Sequence, residues 1–72
     1  MDQNESKMQI AVLIDSENVS SRYASIIFNE IETYGFATYR RIYGNWTKNN
    51  GWSENILLEK SITPIQQINY TS

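Results

Sequence analysis

From Met8 to Ile14 the chain is almost continuously apolar, with β-branched Ile10, Val12 and Ile14 at alternate positions. That pattern predicts a short strand covered on both faces, as in the middle of a parallel sheet. From Ser21 to Tyr34 the apolar residues Ala24, Ile27, Phe28, Ile31 and Tyr34 recur at spacings of three and four, which predicts an amphipathic helix. Ser20 stands where an N-cap is wanted and Gly35 where the helix should stop. Phe36 to Tyr43 is aromatic and β-branched and predicts a second strand, followed by a polar, asparagine-rich loop from Gly44 to Gly51. Trp52 to Lys60 places Trp52, Ile56 and Leu57 on one face of a short helix. Ile65 to Tyr70 alternates apolar with polar, as a third strand would, with Pro64 confined to its beginning.

The order β-α-β-α-β implies right-handed crossovers and a mostly parallel sheet flanked by helices, so the expected class is a three-layer α/β fold of the doubly wound kind. Such folds commonly use five or six strands, and their ligand crevice needs a second half. The expectation is therefore half of a domain: a truncated chain, a minimal fragment, or one completed by another copy. Unpaired backbone at an exposed sheet edge would serve association into a homo-oligomer. Residues 1–8 are expected to be a polar tail and residues 9–72 the domain portion.

Composition narrows the chemistry. The 72 residues contain no cysteine and no histidine. Disulfides, Cys/His zinc sites, Ser-His-Asp and Cys-His triads and any imidazole base are excluded, leaving oxygen-ligand chemistry. The aliphatic run Ile10 to Ile14 is far shorter than the ~20 residues needed to span a bilayer. The start of the chain lacks a charged-then-apolar signal. A soluble, cytoplasmic protein with no membrane partner is expected. Net charge is −2 overall, yet residues 1–35 carry −4 and residues 36–72 carry +2. The overall balance argues against broad nonspecific DNA binding but leaves room for a local basic strip.

Asp15 follows the buried run directly, at the carboxyl end of the first strand, where open α/β sheets place ligands and catalytic groups. Asp15, Ser16, Glu17 and Asn18 gather two carboxylates, a hydroxyl and a carboxamide just before a helix start. Carboxylate oxygens suit Mg²⁺ or Mn²⁺, and free N–H groups at a helix start suit phosphate. The competing structural role is ordinary: Asp and Asn turn the chain and cap the helix.

Three segments together carry a family resemblance: Ile10-Ala-Val-Leu-Ile-Asp15-Ser-Glu-Asn18-Val-Ser20, then Arg40-Arg-Ile-Tyr-Gly-Asn-Trp46, then Pro64-Ile-Gln-Gln-Ile-Asn-Tyr-Thr71. In this order and spacing the chain resembles the opening half of an NYN domain of the LabA-like type, a family similar to PIN-domain nucleases. The resemblance implies a Rossmann-like/PIN-like fold and a Mg²⁺- or Mn²⁺-dependent ribonuclease or RNA-processing domain. It implies Asp15 as the catalytic, first acidic metal ligand, with Asn18 ordering the site or contacting phosphate. Glu17 is the second carboxylate within reach. The position after Tyr43-Gly44 is often Asp in the family and is Asn45 here, and the aspartates that the family supplies further along do not appear. The chain by itself is expected to lack efficient nuclease activity.

Arg40, Arg41 and Lys48, interleaved with Tyr39, Tyr43, Trp46 and Trp52, offer phosphate contacts and stacking faces for single-stranded RNA. Strand aromatics more often belong to the core, Trp52 is expected to pack, and one of two adjacent arginines must point away from the other. The leading expectation is thus the N-terminal portion of a metal-dependent ribonuclease domain with RNA as partner. The alternative is a noncatalytic module binding RNA or protein. A haloacid-dehalogenase-like phosphatase ranks last, because its second aspartate position is occupied by Glu17.

Overall fold

The computed structural model describes residues 7–67. Strand β1 (Met8–Asp15) leads through a single 3-10 turn (Ser21–Tyr23) into helix α1 (Ala24–Glu32). Strand β2 (Gly35–Gly44), helix α2 (Glu54–Glu59) and strand β3 (Thr63–Gln66) follow. The alternating strands and helices and the parallel pairing are those of the expected α/β class.

The sheet order is β1-β2-β3 with both pairs parallel. Both crossovers therefore advance the same way across the sheet, and right-handed connections then set α1 and α2 on the same face. Under them lies one core: Val12, Ile14, Ala37 and Ile42 from the strands against Ala24, Phe28 and Leu57 from the helices, closed by Trp52 and Ile62. Ile42, on the central strand, is fully buried. On the opposite face Leu13 is 60 % exposed and Phe36 and Tyr39 are each 45 % exposed. Among the described residues β1 is thus covered on one face, not two. The apolar residues Ala11 and Leu13, which made the run look continuous, point to the uncovered side.

A bulge in β2 decides which side chains reach the core. Ile10 pairs with Ala37 and Ala11 with Tyr39, so Thr38 is an extra residue in the ladder. Beyond it Val12 is opposite Arg40 and Leu13 opposite Arg41, which sends the two arginines to opposite faces.

The helices end where local chemistry stops them. Ser20 Oγ accepts from Arg22 N and opens the 3-10 turn, and Ser53 Oγ accepts from Ile56 N and opens α2. The second helix consequently begins two residues after the Trp52 expected from periodicity. It closes on Ser61, which has φ 55°. Ser61 N donates to Leu58 O and Ile62 N to Leu57 O, the paired bonds of a Schellman motif, with Ile62 and Leu57 meeting in the core. The first helix stops at Glu32 with Thr33 as its cap, so the following glycine is not a left-handed stop. Gly35 opens β2 instead, against β1, where any Cβ would collide with the Met8 carbonyl oxygen. The third strand spans Thr63–Gln66, earlier than expected, and includes Pro64. It lies at the sheet edge, where a missing N–H is tolerated. Residues 68–70 of the expected strand fall outside the described residues.

Candidate functional site at the carboxyl end of the sheet

The buried run of β1 delivers Asp15 to the carboxyl end of the sheet, paired in register with Tyr43. The chain then turns sharply: Asn18 N and Val19 N both donate to the Asp15 carbonyl oxygen, each at 3.1 Å. The exposed Asp15 carboxylate is oriented by its own turn. Oδ1 accepts from Glu17 N at 3.0 Å and Oδ2 accepts from the Asn18 side-chain amide at 2.8 Å. Asp15, Glu17 and Asn18 are therefore brought together, with Asn18 as the group that holds the carboxylate. The same bonds serve the turn-forming role that Asp and Asn have anywhere.

Beneath this exposed turn Ser16 is buried, with 6 % of its surface exposed. Its backbone N–H donates to the Tyr43 carbonyl oxygen at 3.0 Å, tying the end of β1 to β2. Its hydroxyl packs over Gly44, where a Cβ would overlap Ser16 Oγ and lie 3.3 Å from Asn50 Nδ2. A glycine is required here by close approach.

The basic residues divide. The Arg40 guanidinium lies on the helix side of the sheet, 4.8 Å from the centroid of the Phe28 ring, donating to the carbonyl oxygens of Ala37 and Lys60. Arg41 lies on the uncovered face, stacked 4.1 Å from the centroid of Tyr39 and opposite Leu13, two residues before Asp15. Lys48 is exposed on the polar loop. The arrangement groups Arg41 with Tyr39 on the face that leads to Asp15 and sets Arg40 apart from it.

The loop after β2 is more ordered than its polarity implies. Asn45 Oδ1 accepts from Thr47 N, Thr47 Oγ1 and Gln66 Nε2. Trp46 donates its indole N–H to Ile65 O and its backbone N–H to Gln66 Oε1. Asn45, the position where the resembled family often has a carboxylate, is thus a turn organiser that ties the loop to β3. Trp46 is anchored along its N–H edge. Residues that sequence patterns did not single out for the site also matter: Gly44, with Asn50 beside it, packs against Ser16 beneath the Asp15 turn, and Ser21 Oγ donates to the Gly51 carbonyl oxygen. The one sign of them was a glycine directly after an aromatic strand.

A Mg²⁺ or Mn²⁺ site would draw on oxygen donors here. Among the described residues no three His, Cys, Asp or Glu side chains come together in a way that holds a metal ion. Asp15 already accepts hydrogen bonds at both oxygens, and Glu17 is its one carboxylate neighbour in the turn. The described residues alone do not make a donor set for such an ion. Among them, too, no helix is long and apolar enough to cross a membrane.

Comparison with curated proteins and with solved structures gave no match. The family model of the NYN domain, by contrast, matches residues 9–72, a span running from β1 through β3 and including Asp15, Arg41 and the asparagine-rich loop. The chain therefore belongs to the NYN domain family, a nuclease-like family of the PIN type.

Proposed function

We propose that this chain is the N-terminal portion of a divalent-metal-dependent ribonuclease domain acting on RNA phosphodiesters. The observation that carries the proposal is the Asp15 carboxylate, set at the carboxyl end of a parallel strand and held at both oxygens by Glu17 N and Asn18 Nδ2. A carboxylate fixed at that rim loses little orientational freedom when it engages a cation or a substrate. Nuclease-like domains of this family generally use divalent metals. In the proposal Asp15 is the first acidic ligand and Glu17 the second. Because the described residues do not complete a donor set, the 72-residue chain by itself is expected to cleave RNA poorly.

Phosphate contact is assigned to Asn18, Arg41 and Lys48. Arg41 is supported by its place on the uncovered face over Tyr39, next to the register that ends in Asp15. Arg40 supports the fold through Phe28, Ala37 and Lys60. The cation and ring of Arg41 and Tyr39 also favour a second reading, a module that retains RNA without cutting it.

Manganese titration of the ¹⁵N-labelled chain tests the first reading. Paramagnetic broadening strongest at the amides of residues 15–18 and lost in Asp15→Asn is expected. Broadening at that turn that survives Asp15→Asn removes Asp15 from metal binding. In a protein that carries the domain, Mn²⁺-dependent cleavage of single-stranded RNA should vanish with the same substitution. Metal-independent RNA retention that Arg41→Ala abolishes and Asp15→Asn spares favours the second reading.

A further inference from the structure

The turn that carries Asp15 is fastened to the rest of the molecule by a segment far away in sequence. Trp52, buried with 5 % of its surface exposed, donates its indole N–H to the Val19 carbonyl oxygen at 3.0 Å. The N–H of Val19 in turn donates to the Asp15 carbonyl oxygen, so a single residue links the indole to the strand end. Next to it Ser21 Oγ donates to the Gly51 carbonyl oxygen at 2.7 Å. Asn50 completes the contact. Its Oδ1 accepts from Trp52 N at 3.0 Å, while its Nδ2 is sealed from solvent beside Gly44. Ser16 Oγ is sealed on the same glycine. Among the described residues neither of these two buried atoms has a hydrogen-bond partner, and both lie against Gly44, which seats Ser16 and Asn50 together under the turn.

A buried indole N–H needs an acceptor, and the choice of acceptor is what matters here: the Val19 carbonyl, between the Asp15 turn and the first helical turn. The bonds that orient the carboxylate itself, from Glu17 N and Asn18 Nδ2, are exposed and span at most three residues. Short exposed bonds of this kind open readily unless the backbone that carries them is held.

We propose that Trp52 is a positioning residue for the Asp15 carboxylate, acting through the Val19 carbonyl, with Ser21–Gly51 and the Ser16–Gly44–Asn50 seat completing the clamp. The proposal rests on Asp15 being the functional carboxylate. Under it, the segment 45–52 belongs to the site, and a displacement of Trp52 loosens the carboxylate while the sheet stays intact.

Solvent exchange of the Glu17 amide proton, measured by NMR on the full ¹⁵N-labelled chain, reads the bond to Asp15 Oδ1. Trp52→Phe keeps an aromatic ring and removes the N–H. It should speed exchange at Glu17 about tenfold, the loss expected for one hydrogen bond's worth of restraint, and leave the Ile42 amide on the central strand unchanged. If Trp52→Phe does not fold, Ser21→Ala, which removes the second fastening from a partly exposed site, should shift Glu17 in the same direction. Unchanged Glu17 exchange in the folded variants overturns the clamp. Equal acceleration at Glu17 and Ile42 also overturns it, because that is general destabilisation. The readout is independent of metal and of RNA: if manganese ignores Asp15 while Trp52→Phe still loosens Glu17, the functional reading fails and the clamp stands. Conversely, Asp15-dependent broadening with an unmoved Glu17 sinks only the clamp.

Discussion

The guanidinium of Arg40 stacks 4.8 Å from the centroid of Phe28 while donating to the carbonyl oxygens of Ala37 and Lys60, so one side chain joins β2, α1 and the end of α2. A planar cation with several forked donors is suited to this place; an ammonium cannot stack flat on a ring and reach two separated carbonyls.

Arg40→Ala is accordingly expected to destabilise the fold by about 2 kcal/mol or more, because it removes a partly desolvated cation–π contact and two charged hydrogen bonds whose contributions, made by one half-buried group, do not add in full. Arg40→Lys should recover less than half. Arg41→Ala, on the uncovered face, should stay within about 0.5 kcal/mol of the parent. Urea denaturation midpoints of the three variants check this, and equal losses at the two arginines would contradict the assignment of faces.

Arg41 should instead appear in nucleic-acid binding. If Arg41 and Lys48 each neutralise one phosphate of single-stranded RNA, each alanine substitution should reduce the slope of log affinity against log salt by about 0.7. Filter retention or anisotropy at several salt concentrations measures the slope. A slope that ignores Arg41→Ala removes it from the interface.

At Gly44 the conflict is steric. Gly44→Ala should cost about 1–3 kcal/mol, because the new methyl overlaps the Ser16 hydroxyl in a closely packed place. Ser16→Ala should relieve part of that loss in the double variant, giving a coupling energy on the order of 1 kcal/mol in a double-mutant cycle. Strict additivity of the two substitutions would show that they do not share the seat.

Ser61 holds φ 55° at the end of α2, in the left-handed region where a β-carbon is unfavourable. Ser61→Gly is expected to stabilise the chain by about 1 kcal/mol, which for a domain of this size raises the thermal midpoint by roughly 4–8 °C. Calorimetry or far-UV circular dichroism reads the shift. A fall in the midpoint would mean that the Schellman motif does not form in solution.

Removing the Asn18 amide tests how the carboxylate is held. Asn18→Ala deletes the donor to Asp15 Oδ2 at an exposed position. Stability should change by less than about 1 kcal/mol, while the manganese-induced broadening at residues 15–18 weakens. Broadening identical to that of the parent chain would make Asn18 a turn former without a part in orientation.

Hydrophobic period was enough to determine the succession of strands and helices. Alternation and the three-four spacing arise from backbone geometry that each segment carries within itself. The position of Asp15 at the rim was legible for the same reason: a buried run ending in a carboxylate has only one end from which to present it. So was the divergence of Arg40 and Arg41, since neighbouring strand residues face opposite ways. Which arginine went inward was not legible, because that depends on the bulge at Thr38, a mismatch between two strands that neither strand encodes alone. The single covered face was likewise hidden, since Ala11 and Leu13 are as apolar as the residues beneath the helices and only the shared direction of the crossovers tells them apart. The clamp on the Asp15 turn was the least visible feature. Trp52 lies 33 residues from Val19, and a hydrogen bond over that separation leaves no local pattern; it exists only once the sheet has brought the two segments together.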